Sequence, residues 1–263
     1  MTKAYPEIEQ VLKYIKAHLC DSVTLSDLAN QAGYSRYHFN RIFKETIGLP
    51  PLYYISALRL QMAKDLLLNT NLRVRDIGME IGQQSLGTFT TRFTEKVGMT
   101  PAQFRNTVTK ASQHLRSLQH LRDWTDLGNF SNSIPNINGT INATEQFEGV
   151  ILIGLFPKPI PEGYPLNGTL VSSLGKFSIK GVEPGVYYLF ATSVSWEMAA
   201  QDFMLPHKTL RSRSKKPIIV EPESEVPHQK VTLRPPHIED SPILISLPLL
   251  MNNFLNRIKH HSN

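Results

Sequence analysis

Arg36, Tyr37, Asn40, Arg41 and Lys44 fall within nine residues of one another, and their types are those that read nucleic acid. Arginine offers paired donors to guanine O6 and N7, asparagine pairs with adenine N6 and N7, and lysine neutralises phosphate. Tyr37 can pack on a thymine methyl or touch a phosphate. Further on, Ser85, Thr88, Thr91 and Arg92 make a second set of hydroxyls, methyls and one guanidinium. No comparable constellation exists for covalent or metal chemistry. His207, His228 and His237 lack metal-ligand spacing, and Glu221, Glu223 and Glu225 form a proline-flanked run that reads as a solvated edge. No nucleophile–base pair can be named, so the expectation is a protein that is not an enzyme and needs no cofactor or metal.

The two polar sets occupy corresponding places in an internal repeat. Phe39-xxx-Phe43-xxxx-Gly48-xx-Pro51 returns as Phe89-xxx-Phe93-xxxx-Gly98-xx-Pro101, each residue 50 positions later, and Leu28-Ala29 with Gly33 returns 49 later as Ile77-Gly78 with Gly82. In the first copy Thr24 and Asp27 start a capping box. Gly33 supplies a positive-φ stop, and Ser35 caps a second helix running to about Ile47. Phe39, Ile42 and Phe43 turn inward at helical spacing, which leaves Arg36, Tyr37, Asn40, Arg41 and Lys44 outward. In the second copy Val74, Ile77 and Ile81 belong to the positioning helix. A reading helix over 85–97 sends Phe89 and Phe93 inward, with Ser85, Gly87, Thr88, Thr91, Arg92 and Lys96 outward.

Each copy is a helix-turn-helix whose second helix fits a DNA major groove. One copy alone could be an ordinary bundle with a basic face; two in tandem favour DNA. Pro51 opens a breaker-free helix to about residue 68, a rod of about 27 Å. With its turns the rod would hold two reading helices about 34 Å apart, the spacing of successive major grooves. Along it Leu58, Met62, Ala63 and Leu66 form the expected apolar stripe, and Arg59 is either ion-paired or a phosphate contact. Thr100-Pro101 opens a closing helix through Val108.

Charge agrees in sign. The chain carries 28 Lys and Arg against 22 Asp and Glu; residues 1–110 hold 14 against 9 and the remainder 14 against 13. The basic excess sits in the helical part, the side expected to meet a polyanion. Cys20, the only cysteine, lies in an apolar helical pattern and reads as a small buried hydrophobe. No signal peptide and no run of about 18 apolar residues is present, so the expected location is the cytoplasm, away from membranes.

These motifs resemble the AraC/XylS family of bacterial transcription regulators over residues 6–108. The segment from Gly33 to Gly48 resembles the family's first reading helix, and the segment from Gly82 through Gly98-Met-Thr-Pro-Ala-Gln-Phe-Arg105 the second half of its signature. The resemblance implies sequence-specific binding to double-stranded promoter DNA by two helix-turn-helices per monomer, usually by an activator that touches RNA polymerase. By matching position it implies base contacts from Tyr37, Asn40, Arg41, Ser85, Thr88 and Thr91. Three departures stand out. Thr91 replaces a frequent arginine, with Arg92 pointing about 100° away; Arg73 replaces the usual small N-cap, leaving either Asn71 as a substitute cap or a frayed terminus; and the DNA-binding unit comes first.

Proline marks a change of character, with 4 of 18 before residue 110 and 14 beyond 134. Leu115, Leu118, Leu121 and Trp124 predict a connecting helix, and 128–136 has loop composition. The expected division is a DNA-binding domain at 1–110, a helical connector and linker at 111–134, and an effector or interaction domain at 135–263. The fold class is thus multidomain: an all-α tandem helix-turn-helix domain followed by a mainly-β, sandwich-like one. Strands are predicted at 149–156, 175–182, 185–196, 217–221, 230–234 and 243–247, with a short helix near 196–203 and a last one over 249–258. The 211–216 segment, Arg-Ser-Arg-Ser-Lys-Lys, reads as a flexible basic loop or a further phosphate contact. Tyr187, Tyr188, Phe190 and Trp196 read as core and rim, or as the lining of a ligand pocket. The stretch from Gly175 to Tyr187 resembles prealbumin-like or carboxypeptidase-regulatory-like sandwiches. A GyrI-like effector domain, making the protein an effector-responsive repressor, is the alternative.

Overall fold

A computed structural model describes residues 5–83, 85–124, 135–222 and 224–261. The expected linker at 128–134 and Glu223 lie outside the described residues. The first part is helical: α1 (Pro6–Ala17), α2 (Leu25–Gln31), α3 (Arg36–Ile47), α4 (Pro51–Asn69), α5 (Val74–Glu80), α6 (Leu86–Val97), α7 (Pro101–Arg105) and α8 (Val108–Gln119). The repeat is therefore physical, with α2–α3 preceding α4 in the chain and α5–α6 following it. The closing helix is broken after Arg105, where Asn106 and Thr107 turn the chain before α8.

The second part begins with β1 (Ile137–Ala143), β2 (Gly149–Phe156), β3 (Asn167–Val171), β4 (Gly175–Ile179) and β5 (Gly185–Ser195). It continues with α9 (Ala200–Met204), β6 (Arg211–Arg213), β7 (Ile218–Val220), β8 (Gln229–Leu233) and α10 (Leu247–His261). One sheet has the order β4-β1-β8; the other runs β3-β2-β5-β6, with β7 also on β5. β1 pairs antiparallel with β4 and parallel with β8, and β2 is antiparallel to both β3 and β5. Between the sheets lies a core of Ile137, Ile141, Ile151, Ile153, Leu155, Phe177, Tyr187, Leu189 and Val231.

β2 explains how the halves are joined. All eight of its residues are buried, as its unbroken apolar run requires of a strand covered on both faces. Ile151, Ile153 and Leu155 enter the core between the sheets, while Val150, Leu152 and Phe156 enter a second core. That second core also takes in Leu12, Phe39, Phe89, Phe104 and Leu118 of the helical half, and Phe203, Leu244 and Phe254. Helices, one sheet and the other sheet thus form three successive layers. At the junction Trp124 lies 6.4 Å from Trp196 and 5.8 Å from Phe254, ring centre to centre.

Several expectations fail here for identifiable reasons. Residues 243–247 form no strand: the backbone N–H groups of Leu244 and Ile245 donate to Pro161 O, and the carbonyls of Ile243 and Leu244 accept from Lys64 Nζ. The 211–216 segment is no loose loop, since residues 211–213 pair with β5 as an edge strand. α4 has no simple apolar stripe, because Tyr54, Ala57, Gln61 and Lys64 are buried as well under the C-terminal half. Leu58, Met62 and Leu66 are only half-buried. Cys20 is exposed just past α1, its Sγ 3.7 Å from Met62 Sδ.

Candidate DNA interface

Local sequence builds the first reading head. Thr24 and Asp27 close a reciprocal capping box at the start of α2, and the Thr24 hydrogen bonds hold the Asp27 carboxyl below its ordinary pKa. The chain then turns at Gly33, φ 70°, and the Tyr34 N–H donates to Ala29 O at 2.9 Å. A side chain at Gly33 would have space but not the backbone conformation. Ser35 Oγ accepts from His38 N to start α3, and Gly48 ends it in the left-handed region. Phe39 packs on Phe43, and Phe43 edge-on against Tyr54 of α4, which sets the rotation of α3 about its own axis.

The outer face of α3 then carries the predicted residues. Arg36, Tyr37, Arg41 and Lys44 are exposed and Asn40 is half-buried; the five cover an arc of about 140°. Tyr37 is 83% exposed, unusual for an aromatic residue on a packed helix. Arg41 lies 3.5 Å from Glu45 one turn on, a surface pair worth a few tenths of a kcal/mol that a stronger acceptor would displace.

The second head repeats the design with different chemistry. The chain turns at Gly82, φ 77°, and α6 is capped by Ser85 Oγ accepting from Thr88 N. Phe89 packs on Phe93, and Phe93 on Phe104 of α7. Ser85, Thr88, Thr91 and Arg92 are all exposed. Ser85 Oγ uses one of its two lone pairs on the cap, and its O–H can still donate. Arg92 occupies the place that buried Ile42 holds in the first head, so the two exposed faces are not copies. Arg73 caps α5 with no side-chain bond, and the Thr70 hydroxyl, not Asn71, receives the Leu72 N–H.

Two expected outward groups face elsewhere. Lys96 is half-buried and donates to Glu162 Oε1 at 2.7 Å and to Tyr53 Oη at 3.2 Å. Burial alone would lower its pKa, but these bonds outweigh burial and raise it. The Arg59 guanidinium donates to Leu19 O and Asp21 O, closing the end of α1, and lies 3.6 Å from where a Cβ on Gly82 would stand. It therefore sits between the heads. Arg73 and Arg75 stand exposed beside the second head; two arginines flanking the start of α5 were the available signal for them.

Elsewhere, Arg211 is largely buried, and burial brings its pKa down to about 10. Arg234 holds Asp240 in a bidentate pair at 2.7 and 2.9 Å. Among the described residues, no group of three or more His, Cys, Asp or Glu is placed to hold a metal ion, and no helix is long and apolar enough to cross a membrane.

A family model described as a helix-turn-helix domain matches residues 28–107. The transcriptional activator AarP of Providencia stuartii is 33% identical over 98 residues, which are 37% of this chain and 73% of AarP. AdaA of Bacillus subtilis, a bifunctional transcriptional activator and DNA repair enzyme, is 35% identical over 98 residues, 37% of this chain and 46% of AdaA. Among solved structures, an AraC-type regulator from Chromobacterium violaceum aligns with 39% of this chain and 91% of that one, at 27% identity and a TM-score of 0.38.

Proposed function

The chain belongs to the helix-turn-helix transcription regulators with an AraC-type DNA-binding domain at the N-terminus, and from that premise we propose that α3 and α6 read two successive major grooves of one promoter site. The observation that carries this reading is the pair of serine-capped, glycine-stopped helices with exposed polar faces, joined in the chain through the 19-residue α4. That helix is about 28 Å long. With the turns at its ends it spans about one helical repeat of B-DNA.

Arg36, Tyr37, Asn40, Arg41 and Lys44 would read the first box and supply most of the phosphate neutralisation. Ser85, Thr88, Thr91 and Arg92 would read the second with hydroxyl and methyl contacts and one guanidinium. Binding would release condensed counterions and weaken steeply with salt. AarP and AdaA are both named as activators, which supports an activator role here, with RNA polymerase as partner. The repair activity in AdaA's name belongs to that protein. Residues 1–110 would form the DNA-binding domain, 111–134 the connector, and 135–263 a sandwich-like unit that takes an effector or partner.

Selection of bound sites from a random DNA pool tests the reading. Two boxes about one helical turn apart are expected. Arg41→Ala should weaken specific binding by about 1–3 kcal/mol and relax base preference in one box only. Equal loss on random DNA would reduce Arg41 to a phosphate contact, and a single enriched box would remove the two-groove reading.

A further inference from the structure

Ile47 and Val97 are equivalent residues of the repeat, the last of α3 and of α6. Their carbonyls belong to the terminal turn that a helix cannot satisfy by itself. Both are satisfied from the C-terminal half. Ile47 O accepts from Arg213 Nη1 at 2.5 Å, and Val97 O from the Ser246 N–H at 3.0 Å. We propose that the C-terminal half is a brace that fixes the relative placement of the two reading helices, with Arg213 the positioning residue for α3 and Glu162 that for α6.

One short segment reaches both heads. In the loop between β2 and β3, Pro159 Cβ lies 3.2 Å from where a Cβ on Gly48 would stand. A few residues on, the Gly163 N–H donates to Lys96 O at 2.7 Å. Glu162, its side chain only 7% exposed, takes Lys96 Nζ from α6 and the Tyr53 hydroxyl from α4. Pro161 O of the same loop accepts from Leu244 and Ile245 N–H, which ties it to the segment that carries Ser246 and that Lys64 anchors to α4. The heads are joined to each other by α4 and turns at either end. A second connection through the packed sheet closes α4 and the two heads into a ring of contacts.

The proposal rests on two-groove reading and gives it a measurable property. Two rigidly linked sites bind with high effective concentration only when the spacing on the target matches the span, and a flexible link tolerates mismatch. The test uses the full-length protein and the two-box site from the selection, with one or two base pairs inserted or deleted between the boxes. The wild type should lose about tenfold or more in affinity per inserted base pair. Arg213→Ala and Glu162→Gln should each lose less than about threefold, while binding to a single box stays within about twofold. Arg213→Lys, which keeps a donor, should restore part of the spacing penalty. General destabilisation lowers the active fraction equally for every spacing and leaves the profile unchanged. Folded variants with the wild-type spacing profile would overturn the brace alone. A wild type with no two-box preference would overturn the two-groove reading and the brace with it.

Discussion

Lys64 lies in the C-terminal half of α4, fully buried, with Nζ donating to Ile243 O at 3.0 Å and Leu244 O at 3.3 Å and 5.5 Å from the centre of the Phe104 ring. Burial is the largest influence on its proton; Asp65 opposes it, Arg211 adds to it, and the pKa falls to about 7 from 10.5. A neutral amine still donates both bonds. Between about pH 7 and 10.5 the unfolded chain carries a proton that the folded chain lacks. Stability should therefore rise with pH across that window, and lose this contribution as pH falls through it. Lys64→Met should lower stability by about 1–3 kcal/mol at the top of the window, by orphaning two carbonyls, and should flatten the rise. Urea unfolding at several pH values from 7 to 10 reads both effects, and an undiminished slope in the variant would mean that Lys64 keeps its proton in the fold. Nothing in the sequence marks this residue: its burial depends on a segment 180 positions away, whereas the outward placement of Tyr37 and Arg41 follows from neighbours within one helix.

At the scale of elements, glycine stops distinguish conformation from packing. Gly33 needs only its positive φ, since a Cβ there would meet nothing within 4 Å, while a Cβ on Gly98 would come within 2.6 Å of Leu249 Cδ2. Gly33→Ala should cost about 1–2 kcal/mol from backbone strain. Gly98→Ala should cost about 1–3 kcal/mol beyond that from overpacking. Denaturant midpoints measure the difference, and equal losses would show that α10 yields freely around α6. Removing the Ser35 cap by Ser35→Ala should cost about 1 kcal/mol and fray the start of α3, seen as faster amide exchange at His38. These elements were legible because caps, glycine stops and paired phenylalanines are local and occur twice. The buried runs of β2 and β5 were legible for a similar reason. The 243–247 stretch was not: an apolar run of that length suits a sheet edge or a docked strap equally, and only the positions of Lys64 and Pro161 decide. β6 was hidden because its three residues, Arg-Ser-Arg, carry no apolar alternation.

For the whole molecule, the shared core has thermodynamic consequences. Phe39 and Phe89 of the reading heads belong to the same packed cluster as Phe156 of the sheet and Phe254 of α10. A core shared across the boundary couples the two parts, so calorimetry should show one transition with calorimetric and van't Hoff enthalpies in agreement. Two separated transitions would mean that the halves fold independently. The domain division visible in proline content and charge was a difference of composition; whether the parts share a core was not readable, because a strand buried on both faces does not reveal what covers each face. The same junction has an optical consequence. Both tryptophans of the chain, Trp124 and Trp196, lie within one aromatic cluster there. The tryptophan emission of this protein therefore comes entirely from the seam between its helical and sheet layers, and any loosening of that seam can be followed by colour without attaching a dye.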